Sequence, residues 1–310
     1  MKIAFFEIKK EEQLFFEKHL AKKAELFFFE GTVNMALDGI AMYDVISVFV
    51  HSKIDATILQ KIPNLRYIQT RSTGYDHIKC QELYKSGLLL SNVAGYGGPA
   101  VAEFSFSLLL NATRHTNIAI SRAKEANYQY NDLKGVELFS KKIGILGLGT
   151  IGQQMARIAK GFGMDVFVYS RSKKAIVDEL ELHFCSLDEL FRVSDIIMLA
   201  LPLTPATKHI LNIKNYQKLK KDVIVVNTAR GELIEDKLYE LMSENIFCLD
   251  VINNQKYISA DNILYTPHIA YYTQEALQRI MQISLQNIEA FLSEKPLPNC
   301  LQLKCKKDYQ

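Results

Sequence analysis

The chain has 310 residues, long for one hydrophobic core and comfortable for two domains. Hydrophobic residues make up 48%, charged residues 23%, and the net charge is only +3. This balance is that of an ordinary globular protein and gives no grounds for a nucleic-acid or membrane-surface partner. Basic runs are short, as in "KLKK" at 218–221, and read as solvated faces. No apolar stretch approaches the ~20 residues of a membrane span. The apolar run in "MKIAFFEIKKEEQ" is too short for a signal peptide. The five cysteines, Cys80, Cys185, Cys248, Cys300 and Cys305, contain no C-x-x-C pair, so no metal is expected. A reducing compartment fits best, and the chain is expected to be cytoplasmic.

The predicted elements begin with a strand, "KIAFF" (2–6), followed by apolar runs in "ELFFFE", "VISVFV", "RYIQT" and "GLLLSN" with helix-like stretches between them. Strands alternating with helices imply a parallel sheet covered on both faces. Next comes "GPAVAEFSFSLLLNATRH", a long helix with Pro99 suited to its first turn. Val101, Phe104, Leu108 and Ala112 form its stripe, which reads as core or dimer packing.

A second alternation starts at "KKIGILGLGTIG". Its strands are "IGIL" (143–146), "DVFVY" (165–169), "DIIMLA" (195–200), "VIVVN" (223–227), "IFCLDV" (246–251) and "NILYT" (262–266). The last element is an amphipathic helix with Leu277, Ile280, Leu285, Ile288 and Leu292 as inward positions. The expected fold is α/β, with two doubly wound parallel-sheet domains.

Gly147, Gly149 and Gly152 fit G-x-G-x-x-G between a strand and a helix, the context in which that motif binds a dinucleotide. Gly147 permits the turn, Gly149 lets backbone approach a pyrophosphate, and Gly152 allows helix and strand to pack. The phosphates would sit on the helix N-terminus, at Thr150 and Ile151. An NAD site usually carries an acid about 20 residues past the first glycine. Ser170 stands there instead, followed by Arg171 and Ser172, residues able to bind a 2′-phosphate. NADP is therefore expected in preference to NAD.

Ligands of an open parallel sheet bind beyond the carboxyl ends of its strands. Arg230 follows the strand at 223–227, and His268 follows the one at 262–266. Arg offers a planar fork to a carboxylate, and His exchanges a proton near neutral pH. Beside a nicotinamide, the pair suggests reduction of a 2-oxo acid.

The chain resembles the D-2-hydroxyacid dehydrogenases over nearly its whole length. "RSTGYDHI" (71–78), "SNVAGYGGPAVAEF" (91–104), "LGLGTIGQQMARIAKGFGM" (146–164), "LPLTPATKHI" (201–210), "VNTARGEL" (226–233) and "TPHIAYYT" (266–273) are similar to that family's segments, in its order. The "STGYDHI", "NVAGYG" and "PHIAYYT" wording is closest to the D-lactate dehydrogenase branch. The resemblance implies that a Rossmann cofactor domain (99–270) is inserted into a flavodoxin-like substrate domain (1–98 with 271–310). It implies that Arg230 holds the substrate carboxylate, that His268 is the general acid, and that N–H groups of Thr73 and Gly74 bind the carboxylate from the opposite domain. By the same resemblance Tyr96 lines the pocket, Pro202 and Thr228 join the cofactor residues, and the protein is a homodimer. His77 reads as structural.

The family's third catalytic residue is a Glu five positions past the Asp of "LDV"; counting from Asp250 reaches Gln255. Asn253 and Asn254 are alternatives, and Asp261 is a poorer one. An amide can orient an imidazole but adds no charge, so His268 is expected to titrate lower than with Glu beside it. A Gln–His pair also occurs in the related formate dehydrogenases, ranked second because their extra N-terminal length is missing here. A catalytically weak dinucleotide-sensing protein is a further alternative. Glyoxylate, pyruvate and hydroxypyruvate all offer the carboxylate and carbonyl that Arg230 and His268 would address.

Overall fold

Strand alternation builds a double-sided core in each of two units. The computed structural model describes residues 1–36, 39–79 and 87–301. One unit comprises Met1–Tyr96 with Gln274–Gln310, and the other Gly97–Thr273.

In the first unit the strands are β1 (Lys2–Phe6), β2 (Glu25–Phe29), β3 (Val45–Val48), β4 (Tyr67–Thr70) and β5 (Leu89–Ser91). They form a parallel sheet in the order β2-β1-β3-β4-β5. Successive strand side chains point to opposite faces. Ala4, Ile46, Ile68 and Leu90 therefore enter one core, while Ile3, Val45 and Tyr67 enter the other. The helix Gln274–Leu292 covers the second face, where Phe291 stacks on Tyr67 at 4.7 Å.

Its buried stripe is Ala276, Ile280, Ser284, Asn287, Ile288 and Phe291; Leu285 and Leu292, half-buried, pack against the same core as expected, and Leu277 is half-buried. Gln69 Nε2 donates to the Ser284 carbonyl at 2.8 Å, and Asn287 Nδ2 donates to the Asn92 carbonyl at 3.0 Å. Buried polar groups need partners, and these bonds fasten the helix to β4 and to the residue after β5.

In the second unit β6 (Lys142–Leu146), β7 (Asp165–Tyr169), β8 (His183–Phe184), β9 (Ile196–Leu199), β10 (Ile224–Asn227), β11 (Phe247–Leu249) and β12 (Ile263–Tyr265) form a parallel sheet ordered β12-β11-β10-β9-β6-β7-β8. Ile143, Val166, Met198, Val226 and Cys248 pack on one face, beneath helix Gly98–Arg114. Leu146, Ile197, Leu199, Val225 and Phe247 pack on the other. The edge strand β8 was not foreseen, because its two residues are exposed and carry no apolar run. Strand order reverses at β6, so its carboxyl end is the switch point of the sheet.

Among the described residues, no helix is long and apolar enough to cross a membrane, and no group of His, Cys, Asp or Glu is placed to hold a metal ion. Burial pushes the Cys248 thiol up to about 12. Burial, and then Glu189, raises Cys185 to about 11. Neither thiol is poised as a nucleophile. Cys80 and Cys305 lie outside the described residues.

Candidate active site

The glycine loop at the switch point is shaped by missing side chains. Gly147 has φ +101°, and a Cβ there would lie 2.5 Å from the Ala200 carbonyl oxygen. A Cβ on Gly152 would lie 1.9 Å from the Gly147 oxygen. Gly149 meets nothing within 4 Å and caps the helix Thr150–Gly161. The first and third glycines thus pack the turn, and the second leaves room for a pyrophosphate against exposed Thr150 and half-buried Ile151. These residues fit a bound dinucleotide.

At the end of β7, Ser170 Oγ donates to the Ser172 carbonyl at 2.7 Å. Arg171, Ser172 and Lys173 are exposed. The first carboxylate along the chain, Asp178, is paired with Lys173 at 2.6 Å. On the other side of the switch point, the Pro202 carbonyl accepts the Thr207 hydroxyl at 2.6 Å. The buried Thr228 hydroxyl lies 2.8 Å from Ser105 Oγ. Ser105 gives its only proton to the Val101 carbonyl, so Thr228 is the donor and fastens the end of β10 to helix Gly98–Arg114.

Arg230 is half-buried in the turn after β10. Asn227 shapes that turn from both ends: its Oδ1 accepts the Ala229 N–H at 3.0 Å, and its Nδ2 donates to the Arg230 carbonyl at 2.8 Å. Gly231 follows because a Cβ there would stand 2.5 Å from the Asn253 nitrogen. Its guanidinium Nη1 donates to the Ala229 carbonyl at 2.8 Å.

His268 sits after β12 with φ +56°, a left-handed conformation rare for a residue with a side chain. Its N–H donates to the Asp250 carbonyl at 3.0 Å and the Thr266 carbonyl at 2.9 Å. The Asp250 carboxylate does the larger part of the holding. It is fully buried, and it accepts the Thr266 hydroxyl at 2.6 Å, the Ile269 N–H at 2.9 Å and the Ala270 N–H at 2.8 Å. One acid therefore holds the chain on both sides of His268, by a side-chain hydroxyl before it and two backbone N–H groups after it. Bonds to a charged acceptor are about twice as strong as neutral ones, enough to hold a strained residue in place. The ring itself meets Tyr271 edge-on, with centroids 6.0 Å apart. Asp250 also donates its N–H to the Asn227 carbonyl at 3.0 Å, so the Arg230 turn and the His268 loop hang from one network.

Gln255 is exposed, at the start of a 3-10 turn that Tyr257 and Lys256 fasten to Glu240 at 2.7 and 3.3 Å. Asp261 is exposed as well.

In the first unit, the loop after β4 has three successive carbonyls tied back. Val93 N–H donates to Ser72 O at 3.0 Å, Asn92 Nδ2 to Thr73 O at 2.7 Å, and Ser72 Oγ to Gly74 O at 2.6 Å. In a planar trans peptide the carbonyl and the next N–H point in opposite directions. The Thr73 and Gly74 amides are therefore turned the other way, and they have no partner among the described residues. Tyr96 is buried, and its carbonyl accepts Arg279 Nε at 2.8 Å.

Beneath this loop lies a residue that sequence reasoning passed over. Arg71 is fully buried, donating from Nη1 to Ser47 and from Nη2 to the Phe6 and Glu7 carbonyls at 2.7 and 2.8 Å. Burial lowers its pKa, and nearby Glu12 and Glu7 oppose that shift. It stood inside the quoted "RSTGYDHI", but nothing local marks an Arg as buried.

The family model described as the NAD-binding domain of D-isomer specific 2-hydroxyacid dehydrogenases matches residues 106–270. Hydroxypyruvate reductase of Thermotoga maritima is 37% identical over 249 residues, covering 76% of this chain and 81% of that protein. The structure of D-lactate dehydrogenase from Aquifex aeolicus, complexed with NAD and lactic acid, is similar with a TM-score of 0.88 at 29% identity, covering 98% of this chain and 97% of that one. An acyclic imino acid reductase in complex with NADPH and D-Arg has a TM-score of 0.88 at 28% identity, over 97% of this chain and 99% of that one.

Proposed function

Because this chain belongs to the D-isomer specific 2-hydroxyacid dehydrogenases, we propose that it reversibly reduces a small 2-oxo acid to the D-2-hydroxy acid, preferring NADPH to NADH. The observation that carries this is the shared anchoring of Arg230 and His268. Both stand at carboxyl ends of β10–β12, stitched together through Asn227 and Asp250.

Arg230 binds the substrate carboxylate and polarises the neighbouring carbonyl, joined by the Thr73 and Gly74 N–H groups. His268 gives a proton to the carbonyl oxygen during reduction and takes it back during oxidation. A bound NAD(P)H supplies the hydride. Tyr96 lines the substrate's place. Gln255, standing where relatives carry an acid, adds no charge near the imidazole, so His268 holds its proton less tightly than it would beside a carboxylate.

NADPH preference rests on Ser170, Arg171 and Ser172, which offer hydroxyls and a guanidinium where an acid would repel a 2′-phosphate. Pairing of two copies rests on the helix Thr116–Lys124, which buries none of its residues, and on Ile120, Tyr128, Tyr130 and Phe139, exposed by 57, 78, 75 and 69%. Exposed apolar surface concentrated in one stretch supports a face covered by a second copy. Light scattering on the purified protein should give twice the chain mass; a monomer would contradict this.

Initial rates with glyoxylate, pyruvate and hydroxypyruvate against NADPH and NADH test the activity, with formate oxidation as the competing reaction. Turnover of at least one oxo acid, faster at low NADPH than at low NADH, is expected. Coenzyme binding without turnover of any oxo acid would overturn the proposal.

A further inference from the structure

A line of hydrogen bonds in the first unit ends on Gly74. Ser72 Oγ donates to the Gly74 carbonyl at 2.6 Å. Thr70 Oγ1 lies 2.6 Å from Ser72 Oγ and 3.1 Å from His77 Nε2. A hydroxyl has one proton to give. Ser72 gives its proton to Gly74, so Thr70 must be the donor to Ser72. Thr70 then has none for the imidazole, so His77 Nε2 carries a hydrogen and donates it to Thr70. The proton count alone fixes the direction of the chain and the state of that ring nitrogen.

Thr70 and Ser72 are buried, which bars water from replacing the inner links, while His77 is half-buried. The backbone around His77 is fixed to Ile54, whose N–H donates to the His77 carbonyl at 3.0 Å and whose carbonyl accepts the Lys79 N–H at 2.9 Å. Gly74 needs such help because it has no side chain of its own to hold it. Asn92, through the Thr73 carbonyl, fixes the peptide plane before Gly74, and Ser72 fixes the plane after it.

We propose that His77 is a positioning residue for substrate binding: through Thr70 and Ser72 it holds the Gly74 carbonyl, and so the far side of the glycine whose N–H, set by Asn92, meets the carboxylate of a 2-oxo acid. This inference rests on the proposed role of Thr73 and Gly74. It assigns to His77 an effect on substrate affinity and none on the chemical step.

The test is steady-state kinetics of the full-length protein with its best oxo-acid substrate. His77→Leu should raise KM for the oxo acid about fivefold, the effect of one lost hydrogen bond, with kcat and KM for the coenzyme unchanged. His77→Gln keeps an N–H donor and should restore most of the loss. Thr70→Val, nearly isosteric, should reproduce the His77→Leu effect and serves if that variant folds poorly. Ser72→Ala separates the two levels of the argument. If Ser72→Ala raises KM and His77→Leu does not, the relay is wrong and the role of the loop stands. If neither moves KM, Asn92 alone sets the Gly74 N–H and the proposal for His77 fails, while the loss of all oxo-acid turnover in the activity assay would be needed to sink the role of the loop. A rise in His77→Leu that Gln does not reverse marks mere packing and overturns the proposal.

Discussion

The glycine loop and the His268 loop both stand at carboxyl ends of strands in one sheet, yet they are held by opposite means. The first is shaped by absence: side chains at Gly147 and Gly152 would strike backbone at 2.5 and 1.9 Å. The second is shaped by presence, with one buried carboxylate, Asp250, collecting three donors around a residue in a conformation glycine would adopt more easily. A turn made by omission is free of steric strain and open to a ligand's phosphates, at a cost in chain entropy. A turn made by a clamp can carry a functional side chain at a strained position and keep it aimed.

Substitutions can break this contrast, starting with the largest effect. Replacing Arg230 with Met should lower kcat/KM for any 2-oxo acid by roughly 10²–10³-fold, the scale for removing a preorganised charge. Coenzyme affinity, set by the glycine loop, should hold in a fluorescence titration. Gly152→Ala should do the reverse, abolishing coenzyme binding by forcing the loop apart. Equal loss of both properties in both variants would mean the loops are not independent.

Asp250→Ala tests the clamp itself. It leaves the Thr266 hydroxyl and the Ile269 and Ala270 N–H groups without their acceptor, at a cost of at least ~2 kcal/mol. A lower midpoint in denaturant and a reduced kcat are expected together. Wild-type values of both would show that the His268 loop holds its shape without the acid.

Gln255→Glu sharpens the comparison from the other side. A carboxylate near the imidazole favours the protonated form, raising its pKa. Reduction needs that form, so rate is lost as pH rises through the pKa. The falling limb of kcat/KM should therefore move to higher pH in the variant, by about one unit if the groups approach closely. No movement would mean that residue 255 does not face His268. The smallest effect belongs to the exposed loop after β7: Arg171→Ala should weaken NADPH by about tenfold, the size of one partly exposed charge-assisted contact, and leave NADH alone. Equal weakening of both coenzymes would rule out a 2′-phosphate contact.

The same contrast explains what the sequence made legible. A turn made by omission writes itself locally, as glycines at fixed spacing, and strand alternation likewise appears as apolar runs such as "VISV" and "IVVN". Arg230 and His268 could be placed because each directly follows such a run. Asp250 was in view inside "IFCLDV", just past the strand Phe247–Leu249, but its role depends on donors 16 to 20 residues away, which no local pattern records. The usable signal was an acid inside an otherwise apolar run, a position that burial forbids without partners. Arg71 and the polar face of the Gln274–Leu292 helix escaped for the same reason: their partners are distant in sequence. Strand β8 escaped because two exposed residues form no pattern.

The most direct test of His268 as the proton donor is the rate of NADPH oxidation with the best 2-oxo acid, comparing the wild type with His268→Gln at saturating coenzyme. The expected result is a fall in kcat of roughly 10²–10⁴-fold with coenzyme affinity unchanged. A variant that reduces the oxo acid at the wild-type rate would contradict it.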